Sequence, residues 1–237
     1  MTNLDSFFMD SVYFGVALSL VSYFAALGLS KKIKCVLFNP LLIASIFIML
    51  LLHFTGISFT TYQSGAKYLT YFLTPTTVCL AIPMYRRIKI LKENVAAILV
   101  SILCGALACQ VCIVGLGILM HIDDTVLVSL LPKSITTAVA IGVADEMGGL
   151  SMITILAVSI TGILGSVMAS FICRLLHIEN PVAVGLAHGN AAHAIGTSRA
   201  FEIGEIQGAM SSLAIVVAAV MTVVLAPLAD KVYLLLK

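Results

Sequence analysis

The sequence predicts an all-α, polytopic transmembrane protein, one domain over residues 1–237, with two interrupted or re-entrant polar segments and internal repeats. Three observations lead there. Of the residues, 61% are hydrophobic and only 10% charged, with mean hydropathy +1.14, whereas a soluble globular domain carries about 25% charged residues. Uncharged apolar runs recur that are long enough for a hydrocarbon core of about 30 Å. Between the last two lies the most polar, glycine-rich run of the chain, Gly185 to Glu202, with His188, Asn190, His193, Thr197, Ser198 and Arg199. The net charge of +2 carries no information about partners, and no basic cluster with interleaved aromatics points to nucleic acid.

Residues 11–29 form the first expected span; Asp5 and Asp10 precede it with no basic residue, so it reads as a retained helix, not a cleaved signal. Lys31, Lys32 and Lys34 follow, and Asn39-Pro40 opens a second span to about Ile57, proline suiting a first helical turn. A polar loop (Thr60, Thr61, Gln63, Ser64, Lys67) leads to a third span at 68–85, broken at Thr74-Pro75-Thr76-Thr77. Arg86, Arg87, Lys89 and Lys92 come next. Seven basic residues on one side against Lys67 on the other place both basic loops in the cytoplasm and the N-terminus outside. Residues 94–120, 150–173 and 206–229 complete six expected spans. Segments 125–144, cut by Pro132-Lys133-Ser134, and 181–198 either cross or re-enter, and the side of the C-terminus follows from which they do.

Leu73 to Ile82 echoes Pro132 to Ile141, with Thr76-Thr77 and Thr136-Thr137 standing 60 residues apart, and Asn39-Pro40 echoes Asn180-Pro181 at an offset of 141 residues. Paired, interrupted apolar segments point to a transporter's binding site. Of the six cysteines, Cys109 and Cys112 form a CxxC inside a long uncharged apolar run, and there they read as packing residues.

A helix broken at bilayer depth frees backbone groups that lipid cannot satisfy, and a half-helix N-terminus attracts an anion. Hydroxyls gather at the breaks: Thr74, Thr76 and Thr77; Ser134, Thr136 and Thr137; Thr197 and Ser198. They either cap their own helices or hold a ligand. Lys133 and Arg199 are the nearest cations, Arg199 being an anion ligand or the partner of Glu202. The substrate-binding set is therefore Lys133, Ser134, Thr136, Thr137, Asn190, His193, Thr197 and Arg199. His188 and His193 relay a proton or simply donate to backbone carbonyls. Asp145-Glu146 ahead of Gly148-Gly149 reads as a solvated turn, with Glu146 a third proton-coupling position. No metal site or cofactor is expected, and no HExxH, GxSxG or nucleophile–base motif suggests an enzyme.

With these residues laid out, the chain resembles the LrgB/CidB family of bacterial membrane proteins over nearly its whole length. The resemblance rests on Pro132-Lys133-Ser134-Ile135-Thr136-Thr137, on Glu146-Met147-Gly148-Gly149 and above all on His193-Ala-Ile-Gly196-Thr197-Ser198-Arg199-Ala200. It departs at Ala138, where members often have proline, and at Ser198, where alanine is common. The resemblance implies a multi-pass protein of the bacterial cell membrane and two readings. One is an antiholin-like modulator of a small holin-like partner (LrgA or CidA type) that restrains murein hydrolase activity and lysis. The other is a carrier of a small monocarboxylate, since relatives are described as carriers of pyruvate, glycolate or glycerate. Interrupted helices around polar groups favour the carrier. The expected partners are a small carboxylate, the lipid bilayer, the holin-like protein and a second copy of the chain.

Overall fold

The structure, a computed structural model, describes residues 11–32, 40–72, 75, 78–79 and 81–237. Among these every regular element is a helix. The chain divides into two compact units, one up to Cys79 and one from residue 80 onward.

In the first unit, α1 (Val12–Lys32) packs on α2 (Pro40–Thr55) and α3 (Phe59–Thr70). α1 holds an 18-residue stretch apolar enough to cross a membrane. α2, with 16 residues, reaches only about 24 Å at 1.5 Å per residue. α3 corrects the polar loop expected over Thr60 to Lys67. Ser58 caps it by accepting from the Thr61 N–H at 3.2 Å, and it buries Thr61 and Gly65. Gly15 of α1 lies so close to the Tyr62 carbonyl and Ala66 that no side chain fits between. Polar composition with one buried face makes an amphipathic helix, not a loop. The expected span 68–85 is not one helix: α3 ends at Thr70, and α4 (Ala81–Arg86) belongs to the second unit. The break expected at Thr74, Thr76 and Thr77 lies outside the described residues, as do Asp5, Asp10, Lys34 and Cys35.

The second unit continues with α5 (Ile88–Glu93), α6 (Val95–Leu119), α7 (Asp124–Leu130), α8 (Thr137–Glu146), α9 (Ser151–Leu175), α10 (Pro181–Ile203) and α11 (Glu205–Leu236). α6, α9 and α11 are long and apolar enough to cross a membrane. Exposed apolar side chains such as Val111, Leu156 and Val220 suit their outer faces to lipid.

The two ambiguous segments are both re-entrant, and the side-chain pairings along the long helices establish it. α7 runs back along α6: Leu127 sits on Gly117, the Gln110 amide reaches the Leu131 carbonyl at 3.1 Å, and Ser134 meets Cys109 at 2.8 Å. α9 then sets out beside the same arm. The Leu150 N–H donates to Ser129 Oγ at 2.7 Å, the Thr154 hydroxyl to the Ser129 carbonyl at 2.9 Å, and Val158 packs with Ile135 and Ala140. Residues 124–146 therefore enter and leave on one face, as a hairpin with its tip at 131–136.

α10 behaves likewise from the opposite face. Its inbound arm runs against α9, with His188 on Ser170 at 2.8 Å, Ala191 on Gly165 and His193 on Gly162. At His193 the backbone turns, with φ 40° and ψ −124°. In a straight helix Gly196 would stand about 12 Å beyond His188 along the axis. Here a Cβ on Gly196 would come within 2.1 Å of the His188 carbonyl, so residues 194–203 fold back on 181–192. α11 leaves beside the inbound arm, Gly185 lying on Gln207 and Gly189 on Ser211, a small-xxx-small approach of backbones. It then follows α6 in parallel. Ala209, Met210, Ala214 and Ala218 pack with Ile98 and Ile102, and Ala226 and Tyr233 pack with Ile113 and Val114. Arg87 pairs with Glu205 at 2.5 Å where both helices start, and Lys237 with Asp124 at 2.5 Å where they end. The unit is thus three spans with two opposed hairpins.

A repeat underlies this arrangement. α6 and α9 each have 25 residues, and Ser151 stands 56 positions after Val95. Both end in the same cap: His121 (φ 51°) and His177 (φ 53°) adopt left-handed backbone, and the next N–H, of Ile122 or Ile178, returns to Gly117 or Cys173 at 3.0 and 2.8 Å. Asp123 and Asn180 then cap the re-entrant arms. At that offset Leu119, His121, Ile122, Val126, Val128 and Leu130 recur as Leu175, His177, Ile178, Val182, Val184 and Leu186. Neither echo noted in the sequence, at 60 or 141, lies on this repeat. Its halves, α6 with the first hairpin and α9 with the second, face opposite ways across the membrane.

Candidate functional site

The first tip is anchored by buried Leu131, Pro132 and Ile135. Breaking the helix here leaves carbonyls without partners, and Gln110 of α6 satisfies that of Leu131. The Lys133 ammonium donates to Cys109 Sγ at 3.6 Å, beside the Cys109–Ser134 contact. The second tip is His193, only 3% exposed. Its ring lies over Gly162 near the middle of α9, with Cε1 3.2 Å from where a Cβ would stand. The Lys133 main chain acts on that ring as a hydrogen-bonding group, so the two tips adjoin.

Two buried side-chain atoms have no hydrogen-bond partner, Gln110 Oε1 against the first tip and His193 Nε2 at the second. Leaving a buried polar atom unpaired costs about 1–3 kcal/mol, so one at each tip marks a place for a polar ligand or water. His193 also holds a backbone conformation that L residues rarely adopt, costing about 1–3 kcal/mol. Each hairpin presents the N-terminal end of its outbound arm here, at Thr137 and at Ala194, and such ends attract negative charge. Among the described residues no three His, Cys, Asp or Glu side chains converge as a metal site requires.

The site residues named from sequence fall into three groups. Lys133, Ser134 and His193 are at the meeting point, and Thr136 and Thr137 border it, Thr136 preceding α8 without capping it through its side chain. Asn190 lies against Gly105 of α6 and lines a small cavity of about 200 Å³ with Ser101, Ile102 and Leu186. His188 and Thr197 are buried and fully engaged. His188 lies 2.8 Å from both the Val184 carbonyl (through Nδ1) and Ser170 (through Nε2), so both ring nitrogens are engaged. Thr197 donates to the His193 carbonyl and meets Ser211 at 2.7 Å, tying the tip to α11.

Arg199 and Glu146 are elsewhere. Arg199 is exposed, ion-paired with Glu202, and about 9 Å back along the arm from the tip. It lines a cavity of about 420 Å³ that none of Lys133, Ser134, Thr136 or Thr137 reaches. The structure thus does not bring Arg199 together with the Thr136–Thr137 pair. Glu146 is exposed at the mouth of the first hairpin, ten residues from Thr136. Sequence reasoning missed Gln110, although an amide inside an apolar helix of 25 residues is itself a signal. It also treated Cys109 as packing alone.

Comparison with known proteins agrees with the reading of the motifs. The model of the LrgB-like family matches residues 19–232. The chain is 37% identical over 212 residues to the holin-like protein CidB of Staphylococcus aureus, covering 90% of this chain and 93% of the relative. It is 38% identical over 213 residues to CidB of Staphylococcus epidermidis, with the same coverage. It is 36% identical over 221 residues to the antiholin-like protein LrgB of Bacillus subtilis, covering 92% and 94%. No solved structure matches the chain. This multi-pass helical membrane protein belongs to the LrgB-like family.

Proposed function

We propose that the protein is a carrier of a small monocarboxylate, pyruvate-like in size, working beside a small holin-like membrane protein, and that the acid is held where the hairpin tips meet. One observation carries this: opposed re-entrant hairpins bring together a lysine and two half-helix N-termini, with an unpartnered buried polar atom at each tip. A protein acting only through its outer surface has no use for that construction. Lys133 supplies the charge, Ser134 and the free amides of Thr137 and Ala138 complete the anion shell, and His193 is the proton site. With Arg86, Arg87, Lys89, Lys92 and Arg174 on one face, the positive-inside rule makes that face cytoplasmic in the bacterial cell membrane. The second hairpin then opens to the cytoplasm and the C-terminal end of α11 lies outside.

Uptake of labelled pyruvate, glycolate and lactate into cells or vesicles holding the protein, with and without its partner, tests the reading. Lys133→Gln should lower uptake about 10- to 100-fold, the loss of a charge-assisted contact of about 1.5–3 kcal/mol. No uptake of any of the three acids by the unaltered protein would overturn it. The second reading, a modulator of a holin-like oligomer, is favoured by the names of the relatives, which speak for it more directly than for a carrier. On that reading Lys133→Gln leaves control of lysis intact.

A further inference from the structure

We infer that the 420 Å³ cavity at the mouth of the second hairpin is a separate loading site for a small carboxylate, recognised by Arg174. This rests on the carrier reading and adds to it a second, outer station. The cavity lies between the last turns of α9 and both arms of the hairpin, lined by Ser170, Arg174, His177, His188, Arg199 and Gln207, with Glu179 the one acid facing it. Arg199 is neutralised by Glu202, whereas Arg174 makes no ion pair among the described residues. A guanidinium beside a hydrated cavity offers a carboxylate two parallel donors. The volume falls in the range of small-molecule sites.

The repeat supplies an independent observation. At the matching positions of the first half, Ser170, Cys173, Arg174 and Arg199 become Val114, Gly117, Ile118 and Val143. Those residues are not around a cavity: Val114 and Val143 are buried with Leu127, Leu131 and Tyr233, and Gly117 is covered by the Leu127 side chain. A polar, basic mouth is therefore particular to one half of an otherwise repeated scaffold. Binding at the outer station loads the acid from that face, and the tips receive it next.

A carboxylate and the phosphate of an anionic lipid offer the same chemistry to Arg174, so the test separates them. Pyruvate transport by the protein with its partner, in vesicles of zwitterionic lipid, should show Arg174→Gln raising KM about 10-fold with kcat unchanged. An unchanged KM in Arg174→Gln overturns the inference and leaves the carrier standing. So does a phosphatidylglycerol-dependent stabilisation lost in Arg174→Gln without any change in KM, which would make the occupant a lipid. Absence of transport in the unaltered protein removes carrier and loading site together.

Discussion

Gly196→Val should abolish folded protein, while the same change at Gly142 is tolerated. The two glycines end two identical triplets, Ala194-Ile195-Gly196 and Ala140-Ile141-Gly142, in the outbound arms of the two hairpins. A Cβ at 196 would stand 2.1 Å from the His188 carbonyl oxygen and 2.8 Å from Ala192 Cβ. The first is backbone inside a closed hairpin and cannot swing aside, so the arms must part. Overpacking of this kind costs about 3 kcal/mol or more, a large share of the stability of any domain. At Gly142 nothing lies within 4 Å of the same atom, and a valine there should change stability by about 0.5 kcal/mol at most. Thermal unfolding in detergent, followed by size-exclusion of the surviving fraction, separates the two. Equal melting of both variants would mean that the arms are not in contact.

The order of glycine and alanine at His193 should be the reverse of that in ordinary helices. In a helix interior glycine is about 1 kcal/mol less stable than alanine. At φ 40° and ψ −124° every residue with a Cβ is strained, and glycine alone escapes. His193→Gly should therefore melt above His193→Ala, by an amount equivalent to about 1–3 kcal/mol. On the carrier reading both variants lose transport, since both remove Nε2. A straight helix through this position would restore the usual order, with His193→Ala the more stable.

Membrane class and the polar, interrupted character of residues 185–202 were legible because hydrocarbon acts on composition. A run of imidazole, amide and guanidinium between two uncharged spans has no place in lipid. Whether that run crosses or returns was not legible: 23 residues suit either outcome. The choice is made by one backbone torsion at a histidine, where turn rules look for glycine. The amphipathic α3 was hidden by its polarity, since its buried face consists of threonine and glycine rather than leucine. The repeat was hidden because its halves face opposite ways and pack against different neighbours. What they share is their caps, the Leu-x-His-Ile-acid junctions at 119–123 and 175–179, where geometry rather than burial selects the residue. Arg199 stands apart from the first tip because a cation near a break in sequence need not lie near it in space; Glu202, three residues on, pairs with it at the mouth, the second of the two partners the sequence offered.

The two opposed hairpins are the foundation of the functional reading, and sidedness tests them directly. Single cysteines can be placed by Met120→Cys, Leu150→Cys, Ile178→Cys and Ile203→Cys, at exposed positions on either side of each hairpin, in protein lacking its native thiols. A membrane-impermeant maleimide should label positions 120 and 150 from one side of the membrane, and positions 178 and 203 from the other. Labelling of 120 and 150 from opposite sides, or of 178 and 203 from opposite sides, would make that segment a crossing span and dissolve the site at its tip.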